Sequence, residues 1–111
     1  MAIPKRKSLA GTCGIPKEDE RVYVRVFDRA GSDVCLHSDR VPKRVIVPGL
    51  APLEIDAVSH RREFGRELFG NLCVRFVITV RGARKALWWE HGDWFVSEKE
   101  LLPFRGRPRE L

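Results

Sequence analysis

No stretch of the chain approaches the roughly 18 consecutive apolar residues that a membrane-spanning helix requires. Cysteine is sparse and odd in number: Cys13, Cys35 and Cys73 are widely spaced and form no C-x-x-C. A disulfide framework in a secreted chain would use an even count, so reduced thiols in a cytoplasmic protein are the expectation. The basic stretch Met1 to Lys7 is followed by no apolar h-region, which argues against a secretory signal. Enzyme signatures are also missing. There is no G-x-S-x-G, Walker loop, G-x-G-x-x-G or H-E-x-x-H, and no internal repeat or low-complexity segment.

What chemistry-bearing residues remain are scattered. His37, His60 and His91 fall on different elements. Cys35 and His37 would point the same way from one strand and could begin a metal site, but two further ligands would have to come from elsewhere in the fold. A buried cysteine beside a solvated histidine accounts for them as well. Glu54, Asp56, Glu63 and Glu67 offer carboxylates with no pair singled out as acid and base. The expectation is a non-enzymatic protein without cofactor or metal.

Charge is abundant and biased. Of the 111 residues 32% are charged and 43% hydrophobic, the net charge is +6, and arginine outnumbers lysine 15 to 6. A basic domain draws polyanions through its summed field, and arginine suits bidentate contact with phosphate or carboxylate. A GC-rich genome would raise the arginine count equally. The length suits one domain able to bury its own core.

Along the chain, residues 1–20 read as a flexible leader, basic at Lys5, Arg6 and Lys7 and acidic at Glu18, Asp19 and Glu20, with little to bury. Residues 105–111 form a short basic tail, leaving a compact β-rich domain at 21–104. Within it, Val22, Val24 and Val26 alternate with Tyr23, Arg25 and Phe27, a period of two that predicts a strand. Gly31 marks a turn, a return strand follows over 34–38, and a short strand covers 44–47. Ser59 caps an expected helix over 60–69, with Phe64 and Leu68 at i, i+4 and Gly70 beyond its end. The clearest strand is 72–80, where Leu72, Val74, Phe76, Ile78 and Val80 share a face. His91 and Gly92 then form a two-residue hairpin loop that sets Trp89 opposite Trp94, Leu87 opposite Val96 and Trp88 opposite Phe95. It also sets Glu90 beside Asp93. Ser97 to Glu100 matches a capping box opening one helical turn that ends before Pro103.

The sum is a mainly β (α+β) fold with one short helix: a small bent sheet or partly open barrel of five to six short antiparallel strands. The tryptophan hairpin followed by residues 97–103 resembles the closing portion of SH3-like barrels over about a fifth of the chain.

The candidate binding surface combines aromatic and cationic side chains. Tyr23, Arg25 and Phe27 interleave on the outer face of the first strand, and Arg75 with the pair Trp88 and Phe95 occupies the same face of later strands. Aromatics that stack bases beside arginines that contact backbone make single-stranded nucleic-acid platforms, whereas buried aromatics would only pack. The tail Phe104-Arg105-Gly106-Arg107-Pro108-Arg109 resembles the core of AT-hook peptides over Arg105 to Pro108, although Glu110 departs from the basic flank. That resemblance implies Arg105 and Arg107 reading the narrow minor groove of A·T-rich DNA. Lys5 to Lys7 would add a phosphate contact. The expected function is a nucleic-acid-binding accessory protein. The alternative is a protein-interaction module, an inhibitor or adaptor of a phage or other mobile element, that grips an acidic partner through exposed Trp88 and nearby arginines. No membrane partner is expected, and the size is compatible with a homo-oligomer.

Overall fold

The alternation in the sequence becomes a single antiparallel sheet in the computed structural model, which describes residues 8–37 and 41–104. Its strands are β1 (Arg21–Phe27), β2 (Arg44–Ile46), β3 (Leu53–Glu54), β4 (Ala57–Phe64), β5 (Cys73–Val80), β6 (Ala83–Glu90) and β7 (Asp93–Ser97). They lie in the order β3-β2-β1-β7-β6-β5-β4. The fold is mainly β, as expected, with seven strands in place of five to six; β3 and β4 are the ones the pattern did not show.

This order forces the sheet to roll up. Its outermost strands, β3 and β4, are joined by Ile55 and Asp56 alone, and that link spans at most about 11 Å. Seven strands laid flat would hold their edges about 29 Å apart. The link is itself sewn to both sides: Ile55 N–H donates to Lys43 O and Asp56 N–H to Thr79 O, each at 2.8 Å. The result is a half-barrel. Val24, Val26, Val45, Val74, Phe76, Ile78, Leu87, Trp89 and Trp94 fill its concave side, and Ile55 at 2% exposure plugs the seam.

Two hairpins show why register is so well specified. In β6 and β7, Trp88 faces Phe95, Trp89 faces Trp94 and Glu90 faces Asp93, as the two-residue loop requires. His91 (φ 53°) and Gly92 (φ 84°) both lie in the left-handed region, the type I′ geometry that matches strand twist. Arg81 and Gly82 do the same between β5 and β6, at φ 52° and 80°.

Four expectations are corrected. Residues 60–69 are not a helix: 57–64 form β4, and only Glu67–Phe69 makes a 3-10 turn, which Gly70 ends at φ 70°. Of the strand expected over 34–38, residue 38 lies outside the described residues and 34–37 form no strand; an isolated bridge pairs Phe27 with Asp33 just before them. The next carbonyls bond to tryptophans instead, with Trp94 Nε1 donating to Val34 O at 2.6 Å and Trp89 Nε1 to Cys35 O at 2.9 Å. Val34 is buried while Leu36 is 55% exposed. Part of the leader packs, since Ile15 (2% exposed) joins Phe64, Cys73, Trp88 and Phe95 in a second cluster on the convex side. Finally, the closing 3-10 helix Glu98–Phe104 runs through Pro103. The Glu100 carboxylate accepts the Ala86 N–H at 3.3 and 3.4 Å, which satisfies a donor where β6 parts from β7.

Candidate nucleic-acid interface

Strand register brings most of the sequence-derived surface into one row. On the convex face, Arg62 of β4 stands opposite Arg75 of β5, Arg75 opposite Trp88 of β6, Trp88 opposite Phe95 of β7, and Phe95 opposite Tyr23 of β1. Arg62 was missed because 60–69 read as helical. Its signal lay in the alternation His60, Arg62, Phe64, which continues across β5 as Val77, Arg75, Cys73.

The middle of that row is covered. Trp88 is 3% and Phe95 0% exposed, with rings inclined by only 7° and centroids 6.5 Å apart. Ile15 packs on them and Leu9 lies alongside. These two residues therefore serve packing and are not available to stack bases. Tyr23 remains 45% exposed. Arg25 is exposed but paired with Asp33 at 2.7 Å and stacked on Phe27, so its charge is largely answered. Arg105 and Arg107 lie outside the described residues.

What holds the leader down is a buried ion pair. Arg21 Nη1 meets Glu90 Oε1 at 2.8 Å, and both side chains are 3% exposed. Arg21 Nε donates to Pro16 O at 3.0 Å, Ser8 Oγ to Glu90 Oε2 at 2.9 Å, and the guanidinium lies 4.0 Å over the Phe95 ring. Burial works against the Arg21 charge, yet the bond to Glu90 and then the Tyr23 hydroxyl outweigh it and hold its pKa above the ordinary value. Beneath this pair, burial, reinforced by Glu90, pushes the Cys73 thiol up to about 12. A thiol so poised is protonated at neutral pH and no nucleophile.

The paired reading of Cys35 and His37 is replaced by a different contact. Arg61 Nη2 donates to His37 Nδ1 at 2.5 Å, and the imidazole lies 4.6 Å from the Trp89 ring. Among the described residues no three metal-ligating side chains converge. Burial and then the Arg61 charge push the His37 pKa below its ordinary value, against the carboxylates of Glu63 and Glu67. The folded chain thus binds this proton less readily than the unfolded one. The contact's stability is present above about pH 6.5 and lost as pH falls through the depressed value. Unfolding free energy will therefore fall less steeply in His37→Gln than in the parent between about pH 7.5 and about pH 5. Equal slopes by chemical denaturation would show that His37 does not carry the effect.

The cations in and beyond this row are open. Arg62, Arg66, Arg81 and Arg84 are exposed and Arg75 half-buried, all on or beside the hairpins of β4, β5 and β6. Among the described residues the ion pairs go to Arg21, Arg25, Arg44 and Arg61, and none to these five. The Arg75 guanidinium lies 5.6 and 5.9 Å from the adjacent rings of Phe64 and Trp88, its Nε buried with no partner among the described residues. It faces a cleft of about 400 Å³ lined also by Lys17, Lys99, Glu20 and Glu100. Both carboxylates there already accept backbone N–H groups, of Lys17 and Ala86. At the far end of β5, Phe104 lies 5.5 Å from the Arg81 guanidinium and 5.6 Å from Lys85 Nζ. The chain passes there into the Arg105 to Arg109 segment. No helix among the described residues is long and apolar enough to cross a membrane. No family model, curated protein or solved structure matches the chain.

Proposed function

We propose that the protein binds nucleic acid, with the convex face of β4, β5 and β6 as the phosphate-contacting surface. One observation carries this reading: Arg62, Arg66, Arg75, Arg81 and Arg84 line these hairpins with no ion-pair partner among the described residues. Arginines answered by carboxylates would be a solvated, salt-bridged surface. Open arginines, with Arg62, Arg75 and Arg84 on one face by strand register and Arg66 and Arg81 in the turns at its two ends, make a footprint for a polyanion. Compared with the sequence expectation, the surface moves away from Trp88 and Phe95 and toward Arg62 and Arg84, while Arg75 keeps its place. The alternative, a protein-interaction module anchored on Trp88, loses its anchor at 3% exposure.

Affinity for duplex or single-stranded oligonucleotides will fall steeply with salt. The log–log slope will be about −4 if all five arginines meet phosphates, and each lost contact will reduce its magnitude by about one. The double substitution Arg62→Gln, Arg84→Gln removes two exposed cations; Arg62 lies 4.9 Å over the buried Phe64 ring, so a thermal melt alongside the titration separates lost contact from lost fold. The substitution should weaken binding to all sequences alike and flatten the slope by about two. Fluorescence anisotropy across a salt series reads both. Binding unchanged by salt, or by the double substitution, removes this face from the mechanism.

A further inference from the structure

The turn between β4 and β5 presents an apolar tip that the arginine face does not use. Leu68 is 85% and Phe69 54% exposed, adjacent in sequence on the 3-10 turn Glu67–Phe69. The turn is built firmly around them. Arg66 N–H donates to Asn71 Oδ1 at 2.9 Å, Asn71 N–H to Arg66 O at 3.3 Å, and Gly70 N–H to Glu67 O at 2.9 Å. Gly65 enters the turn at φ 72° with the Asn71 carbonyl packed against it. Two large apolar side chains are thus held out into water by an ordered loop, an arrangement that lowers the cost of ordering them on a partner.

Charge decides what that partner is. Arg62 and Arg75 face each other near the base of the turn, and Arg66 opens it; none of the three has an ion-pair partner among the described residues. Glu67 is the one carboxylate in the turn itself. The cations do not ring the tip as they would for insertion into an anionic bilayer. They continue along the strands to Arg84, opposite Thr79, with Arg81 in the turn beyond, its guanidinium over Phe104. Arg81 stands about 20 Å from Arg75, at about 3.4 Å per residue of strand. A linear polyanion with an apolar interior fits both features, and duplex DNA carries on each strand one phosphate per 3.4 Å or so of helix axis, around a stacked core.

We infer that Leu68 and Phe69 form a wedge that enters between base pairs of duplex DNA, unstacking a step and bending the helix while the arginine strip holds the backbone. This rests on the nucleic-acid reading above and adds to it a mode of engagement. Apolar wedges of this kind kink duplexes by about 20–90° toward the major groove. Pyrimidine–purine steps, which unstack most readily, are the preferred targets.

The test uses the full chain and an A·T-rich duplex carrying 2-aminopurine at a central TA step, with a donor and acceptor dye at its ends. The parent protein should raise 2-aminopurine fluorescence and shorten the end-to-end distance. The double substitution Leu68→Ala, Phe69→Ala should abolish both signals and weaken binding about tenfold or more while leaving the salt slope unchanged. Both side chains are exposed, so thermal unfolding should be unaltered. A double variant that still unstacks the probe and binds within twofold of the parent overturns the wedge and leaves the arginine face standing. Loss of binding to anionic vesicles with DNA behaviour unchanged also overturns it. A parent protein that does not bind DNA at all overturns both.

Discussion

Glu90→Leu is expected to cost about 3–5 kcal/mol of folding free energy, because it leaves the Arg21 guanidinium charged, 97% buried and without its carboxylate. The Ser8 hydroxyl and its hold on the leader go with it. Arginine cannot relieve the cost by losing its proton. Replacing both partners, as Arg21→Met with Glu90→Leu, should recover most of the loss, since an apolar pair of similar volume needs no compensation. A double-mutant cycle in urea measures the coupling directly. The cleft beside the pair, lined by Ser8, Glu18, Tyr23, His91 and Asp93, sets the alternative outcome. If Glu90→Leu costs less than about 1 kcal/mol, water reaches Arg21 through that cleft and the pair does not hold the leader.

Gly65→Ala is the second severe change. A Cβ there would stand 2.4 Å from the Asn71 carbonyl oxygen and 2.6 Å from its Oδ1, at a φ of 72°. Backbone strain alone in the left-handed region is worth about 1–2 kcal/mol. The clash is with main chain, so the turn must open, breaking the Arg66 and Asn71 bonds. A total of about 2–4 kcal/mol is expected, read as a lowered denaturation midpoint. At Gly31, Gly49 and Gly92 a Cβ meets nothing within 4 Å among the described residues, so alanine there should cost only the strain of positive φ. Similar losses at all four positions would mean that the Asn71 contact adds nothing.

These two sites also mark where the sequence was opaque. The β6 and β7 hairpin was legible to the residue, because alternation and a two-residue loop leave one register that buries Trp89 with Trp94. β4 was not. It lies at the sheet's edge over the half-barrel's open side, so its inward positions, Arg61 and Glu63, need not be apolar and the period of two disappears. The spacing of Phe64, Leu68 and Gly70 then looked helical, although Phe64 ends a strand and Gly70 ends a 3-10 turn. The leader misled differently. A single isoleucine carries no periodicity, and its burial depends on Arg21 and Glu90, whose pairing spans the fold. Strand register sets Tyr23, Phe95, Trp88 and Arg75 in one row, as alternation along each strand implies. Which part of it was wet depended on what lay across it, which alternation does not encode.

The place of β1 in the sheet has a consequence for the order of events in synthesis. β4 to β7 form a meander of neighbours in sequence, which closes through short loops at little entropic cost. β1 pairs with β7 across nearly the whole described chain, Arg21 with Ser97 and Val24 with Trp94. On the ribosome Val26 of β1 can pair early with Val45 of β2, but Val22 and Val24 wait unpaired until β7 has emerged to receive them. Completion of the barrel is then a single late step of high contact order, slow relative to the hairpins that precede it.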